Sequence, residues 1–127
     1  MCIDYYYHPA VGRHLTHKQG WSSLLKQPRL LVHISRLHLR PFNPLTAQLT
    51  VLDARGRRAP EYLAWRDQFA TPLLHHLRSR RFLAPVLAVP EIGHAAPAYE
   101  LSTHGKTWQD VLAVTRDLRA IWAGQAG

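Results

Sequence analysis

Short apolar runs with strand character alternate along this chain with longer stretches of helical periodicity. The predicted strands cover residues 2–7, 34–39 and 82–89, and a weaker fourth covers 48–52. The predicted helices cover 18–31, a segment beginning at Pro60, a separate segment over 71–81, and a last segment from Thr107 to about Gly124. Parallel strands need long crossover connections, which are usually helical. The alternation therefore predicts an α/β fold with a parallel sheet rather than an antiparallel sandwich.

Local signals mark the ends of the later helices. Pro60 suits a first helical turn, whereas the pair Thr71 and Pro72 is expected to end that helix and to start another. The residues Tyr62, Trp65 and Phe69 recur on one side of it at spacings of three and four. The last helix opens with a capping-box pattern at residues 107–110. Its apolar face is predicted to consist of Trp108, Val111, Leu112, Thr115, Leu118 and Trp122.

Composition excludes several classes of protein. The chain has 127 residues, of which 46% are hydrophobic and 19% charged, so collagen-like and wholly disordered chains are excluded. No run approaches the roughly 18 apolar residues that span a bilayer, so we expect no membrane segment. Cys2 is the only cysteine and has no partner for an internal disulfide, which favours the cytoplasm. Neither a repeat nor a linker divides residues 1–127, so a single domain is expected.

The charge is strongly positive and unevenly distributed. The formal net charge is +8, and residues 1–59 carry nine basic and two acidic side chains, hence +7. A basic half is compatible with a nucleic-acid partner, although a solvated basic face is the simpler interpretation. Phosphate contacts would then come from two clusters, which are Arg55, Arg57 and Arg58 and, further along, Arg78, Arg80 and Arg81. Aromatic side chains are scarce beside them, so base recognition is not supported.

Polar residues stand at the carboxyl ends of three predicted strands, where ligands bind in parallel α/β sheets. They are Asp4, His38 and Glu91. Two carboxylates and an imidazole at one sheet edge would suit a divalent cation such as Mn, Mg, Co or Zn. Each also has a structural interpretation, since Asp4 could cap a loop, His38 could lie in the core and Glu91 could stabilise a turn.

Three short motifs resemble a known family. Residues 1–8 (MCIDYYYH), 37–40 (LHLR) and 89–93 (VPEIG) are similar to the ends of strands five, six and eight in the xylose isomerase-like TIM barrels. This superfamily includes sugar phosphate isomerases and epimerases and the endonuclease-four type of abasic-site endonuclease. The resemblance implies a partial (β/α)8 barrel of three to four βα units, which is the carboxyl-terminal half of the family's barrel. It also implies a metal site formed by Asp4, His38 and Glu91.

The sequence departs from the family's pattern at three places. No residue matches the ligand from strand four, because the resemblance begins at strand five. Tyr7 stands where the family commonly has a histidine three residues after the strand-five Asp, and His8 follows it. Pro41 replaces the usual Asp three residues after the strand-six His. These departures weaken the match to the multi-metal chemistry of the endonucleases more than the match to the isomerases.

The resemblance implies a sugar phosphate isomerase or epimerase that uses a divalent metal and proton transfer. Glu91 is then a metal ligand or the catalytic base, and Tyr6, His8 and Arg40 contact the substrate. The alternatives are a metal-dependent phosphodiesterase like the endonucleases, favoured by the basic half, and a non-catalytic remnant that binds nucleic acid or protein. Half a barrel leaves two sheet edges open, so we expect a truncated or split enzyme that forms a homodimer or joins a separate amino-terminal half.

Overall fold

The computed structural model describes residues 2–5, 34–42, 48–79, 85–92 and 107–124, so the predicted helix over 18–31 lies outside the described residues. Three short strands form one parallel sheet: β1 (Cys2–Tyr5), β2 (Arg36–Leu39) and β3 (Leu87–Pro90). Their order in the sheet is their order along the chain. The register aligns Asp4 with His38, and His38 with Val89. The partial (β/α)8 barrel stays a prediction, since three such strands are common to several α/β architectures.

The predicted weak strand at residues 48–52 is wrong. Leu52 makes one isolated antiparallel bridge with Arg58, and no strand forms there. The reason is the tight turn that follows, because the Asp53 N–H donates to the Arg57 carbonyl at 2.8 Å. The Asp53 carboxylate also accepts the Arg57 N–H at 2.9 Å, as Asp side chains commonly do in turns. The chain therefore reverses at once, and the described residues on the two sides of the turn pair only around the Leu52–Arg58 bridge, where the Ala59 N–H donates to the Val51 carbonyl at 2.9 Å, which is too short a pairing to form a strand.

The predicted break at Thr71 and Pro72 is also wrong. Helix α1 (Pro60–Trp65) continues through a π-helical turn (Arg66–Ala70) directly into helix α2 (Thr71–Ser79). Thr71 is itself helical, and its N–H donates to the Arg66 carbonyl five residues back. A proline ring clashes with the carbonyl four residues before it in a regular α-helix. The wider π turn gives Pro72 the room that it needs, so the helix continues.

Helix α3 (Thr107–Ala123) ends as predicted at Gly124, whose φ of +76° is the left-handed conformation typical of a helix C-terminus. Its predicted apolar face is partly wrong, because Trp108 is 69% exposed and Trp122 is 39% exposed. The buried positions are Asp110, Ala113, Val114, Leu118 and Ile121. Asp110 is tolerated there because its carboxylate accepts the Leu52 N–H at 3.2 Å.

The hydrophobic core lies between the helices and one face of the sheet. Leu37 and Leu39 of β2 are fully buried and belong to this core. The sequence correctly predicts the aromatic row of α1 and the π turn, in which Trp65 lies 5.8 Å from Tyr62 and 6.0 Å from Phe69 between ring centroids. Side chains alternate along a strand, so Arg36 and His38 lie on the opposite face of β2 from the two leucines.

A partly buried polar cluster joins Arg58, just before α1, and Tyr62 of α1 to Asp117 of α3. Arg58 donates two hydrogen bonds to the Asp117 carboxylate, at 3.1 and 2.9 Å. The Tyr62 hydroxyl donates to the same carboxylate at 2.8 Å. Burial raises the pKa of Tyr62 well above its ordinary value, and the negative charge of Asp117 raises it further. The phenol must therefore stay protonated in the folded chain.

We expect the free energy of unfolding to fall as the pH rises above about 10, the pKa of an unfolded tyrosine. Below that pH the stability due to Tyr62 is fully present, because both states hold the proton; above it the unfolded state ionises first. Urea denaturation at increasing pH measures this fall, and Tyr62→Phe should flatten it. The same slope in both proteins would show that another group controls the alkaline transition.

Candidate functional site

Backbone pairing brings the predicted site residues to the carboxyl edge of the sheet. Asp4 and His38 are register partners on neighbouring strands. Glu91 directly follows β3, and its N–H donates to the Leu39 carbonyl at 3.0 Å, which fixes the point where the chain leaves the sheet. The structure describes only the backbone of Asp4, and Tyr6 and His8 lie outside the described residues. The edge therefore brings His38 and Glu91 together and places the backbone of Asp4 beside them.

The side chains of His38, Arg40 and Glu91 form a contact cluster, which we call the edge triad. His38 Nδ1 lies 3.5 Å from Glu91 Oε2. Arg40 Nη2 donates to Glu91 Oε1, the other oxygen of the same carboxylate. The Arg40 side chain is only 7% exposed, whereas about one third of His38 and of Glu91 is open to solvent. Glu91 is thus contacted from two sides while 38% of its side chain stays open to solvent.

Burial explains why Arg40 takes this position. A buried guanidinium is costly unless a negative group pairs with it, and Glu91 is the paired carboxylate here. Arg40 is predicted as a substrate contact, but the structure gives it a second role in holding Glu91. The sequence signal for that role is weak, because the two residues are 51 positions apart. Only the parallel pairing of β2 and β3 brings them into contact.

The distance between His38 Nδ1 and Glu91 Oε2 can be compared with the spacing of two ligands on one metal ion. Two ligands about 2.1 Å from a tetrahedral ion lie about 3.4 Å apart. The 3.5 Å between His38 Nδ1 and Glu91 Oε2 is close to this value. Among the side chains that the structure describes, no group of three or more His, Cys, Asp or Glu gathers. This distance suits two ligands of one divalent ion and equally suits the direct contact of an imidazole with a carboxylate, and the register places the backbone of Asp4 beside it.

The first basic cluster named in the sequence is largely used by the fold. Arg57 pairs with Asp53 at 2.9 Å, and Arg58 pairs with Asp117 at 2.9 Å. Arg55 is exposed, but its two neighbours are already engaged with carboxylates. Arg80 and Arg81 of the second cluster lie outside the described residues. These ion pairs favour a structural role for Arg57 and Arg58 over phosphate binding.

Comparisons of the chain with protein-family models, with curated proteins and with solved structures find no match. The resemblance to the xylose isomerase-like barrels rests on the three motifs and on their order along the chain. In the described ranges, no helix combines the length and the apolar character needed to cross a membrane.

Proposed function

We propose that this chain is the carboxyl-terminal half of a xylose isomerase-like barrel and serves metal-assisted proton transfer on a sugar or sugar phosphate. The observation that carries the proposal is the contact between His38 and Glu91, 3.5 Å apart at the carboxyl edge of adjacent parallel strands. Ligands bind at that edge in parallel α/β sheets. A carboxylate and an imidazole there provide both a proton acceptor and a metal ligand.

Each member of the edge triad has a distinct task in this proposal. Arg40 fixes one oxygen of Glu91, which leaves Oε2 to accept a proton from the carbon next to a substrate carbonyl. His38, with Asp4, holds the divalent ion, and Glu91 is a further ligand when it does not act as base. A bound divalent ion supplies polarisation of the substrate carbonyl, which lowers the cost of removing that proton.

A half-barrel needs a partner to complete such a site. The outer edges of β1 and β3 are not paired with another described strand. The remaining strands would come from a second copy of the chain or from a separate amino-terminal half. The isolated chain is accordingly expected to catalyse proton transfer only slowly, because half of the substrate contacts are missing.

The test of the function is proton exchange with solvent. The chain is incubated with Mn or Co and a panel of aldose and ketose phosphates in deuterated water, and deuterium at the carbon next to the carbonyl is measured by NMR. We expect slow exchange that a chelator abolishes. Exchange that survives the chelator would contradict the metal-assisted mechanism, and an absence of exchange from a chain with metal bound would contradict proton transfer.

A metal held by His38, Glu91 and Asp4 should raise the melting temperature of the chain, because a ligand that binds only the folded state stabilises it. The rise should be a few degrees with Mn or Co, since a stabilisation of 1 kcal/mol shifts the melting temperature of such a domain by about 4 °C. His38→Ala should abolish the shift, whereas His75→Ala, an exposed histidine on α2, should retain it. A shift that persists in His38→Ala would place the metal elsewhere.

A further inference from the structure

Strand β3 has an outer edge that no other described strand covers. On its inner side the Leu87 N–H donates to the Ser35 carbonyl at 2.9 Å, and the Glu91 N–H donates to Leu39. Hydrogen-bonding groups alternate in direction along a parallel strand, so those of Val86 and Ala88 point outward. The third outward position is Pro90, which has no N–H to donate. The amino-terminal half of β3 is therefore the part that can accept another strand.

An apolar groove lies beside that half of the strand. It has a volume of about 320 Å³ and lies between β3, α2 and α3. Its walls are largely aliphatic and aromatic, and they include Leu74, Val86, Leu87, Leu118 and Trp122. Trp122 is 39% exposed beside the groove, and Leu87, which borders the groove from the strand edge, is 53% exposed on the face of β3 that it shares with its register partner Arg36. Exposed apolar side chains gathered in one place mark an interaction surface.

The cations near the groove indicate the charge of its occupant. Arg119 lines the groove, and the guanidinium of Arg78 lies against Gly124 at the end of α3. Neither arginine forms an ion pair with an acidic residue that the structure describes. A second copy of the chain would bring a further net charge of +8, which opposes its approach. An acidic segment would be attracted.

We propose that the outer edge of β3 and this groove bind an extended, acidic segment of a different protein as an added strand. Its apolar side chains would enter the groove beside Leu118 and Trp122, and an acidic side chain would face Arg119. Addition of a strand to an open sheet edge is a common mode of peptide recognition. The inference rests on the proposed function for the position of the added strand, because that strand would take the place of the next strand of the barrel; its test involves neither metal nor catalysis.

Two synthetic heptapeptides with blocked ends test the proposal, one alternating Val with Glu and the other alternating Val with Lys. Each is titrated onto the chain, and binding is measured from backbone amide shifts at Ala88 and from tryptophan fluorescence. We expect the acidic peptide to bind and to shift Ala88. Arg119→Glu should weaken it by up to about fivefold, since an exposed charge pair is worth up to about 1 kcal/mol.

Arg55→Glu is the matched control, because it makes the same change in net charge on an exposed turn that does not line the groove. It should leave the affinity for the acidic peptide nearly unchanged. Equal weakening by Arg119→Glu and Arg55→Glu would overturn the proposal, because the attraction would then come from net charge alone. Failure of the acidic peptide to bind would overturn it as well. A homodimer that Leu87→Lys dissociates would assign the groove to a second copy instead.

Discussion

Glu91→Gln should reduce the proton exchange catalysed by the metal-loaded chain to the rate measured without protein. A positioned general base accelerates proton transfer by about 10²–10⁴-fold. Its loss should therefore remove the slow exchange expected of half a barrel. Gln retains an oxygen that can accept the hydrogen bond from Arg40 but removes the negative charge that pairs with the buried guanidinium, so the variant should fold with a lower melting temperature than the unaltered chain. The measurement is deuterium incorporation at the carbon next to the carbonyl, at equal concentrations of the two proteins.

Glu61→Gln provides the control for the change in charge, since Glu61 is exposed on α1. It should exchange deuterium at the rate of the unaltered chain. Circular dichroism and the melting temperature show whether Glu91→Gln is folded. A folded Glu91→Gln protein that exchanges at the original rate would remove Glu91 from the mechanism and leave the edge triad with a structural role only.

Much of the secondary structure can be read from local patterns. The helix beginning at Pro60 and the helix ending at Gly124 follow from residues whose backbone preferences are strong on their own. The parallel pairing follows from the alternation of strands and helices. The helix ends depend on neighbouring residues and the parallel direction on the order of strands and helices along the chain, so the sequence alone is enough to predict both.

The errors arise where distant residues decide the outcome. Asp110 and Asp117 make one stripe of α3 look polar, yet Asp110 is buried and Asp117 is mostly buried, because Leu52, Arg58 and Tyr62 supply hydrogen bonds from elsewhere in the chain. The stripe that contains Trp108 looks more hydrophobic and is more exposed. Periodicity measures the polarity of a face, but burial depends on whether its polar groups find partners.

The edge triad, too, can be predicted from the sequence only in part. The strand ends predict that His38 and Glu91 share one edge of the sheet, and the structure places them 3.5 Å apart. The contact of Arg40 with Glu91 could not be predicted in the same way, because strand alternation gives the face of Arg40 and not its partner. Metal binding and the identity of the substrate stay predictions from the resemblance.

Trp65→Ala should lower the free energy of unfolding by about 3–5 kcal/mol, the usual cost of truncating a buried tryptophan. Trp65 is completely buried and lies between the rings of Tyr62 and Phe69, so the loss would leave a cavity at the centre of the aromatic row. Urea denaturation measures the change. If the alanine variant does not fold, Trp65→Phe still tests the site, because it keeps an aromatic ring while removing a buried indole N–H that makes no hydrogen bond.

Trp108→Ala should have almost no effect on the free energy of unfolding, in contrast to Trp65→Ala. Trp108 belongs to the face of α3 that looks buried by sequence, but the structure leaves 69% of it exposed. Its removal should change the free energy of unfolding by less than about 0.5 kcal/mol, as is usual for surface positions. A loss comparable to that of Trp65→Ala would mean that α3 packs through the face predicted from periodicity. Trp108→Ala therefore tests which face of α3 the core uses, and Trp65→Ala on α1 gives the loss expected of a fully buried tryptophan for comparison.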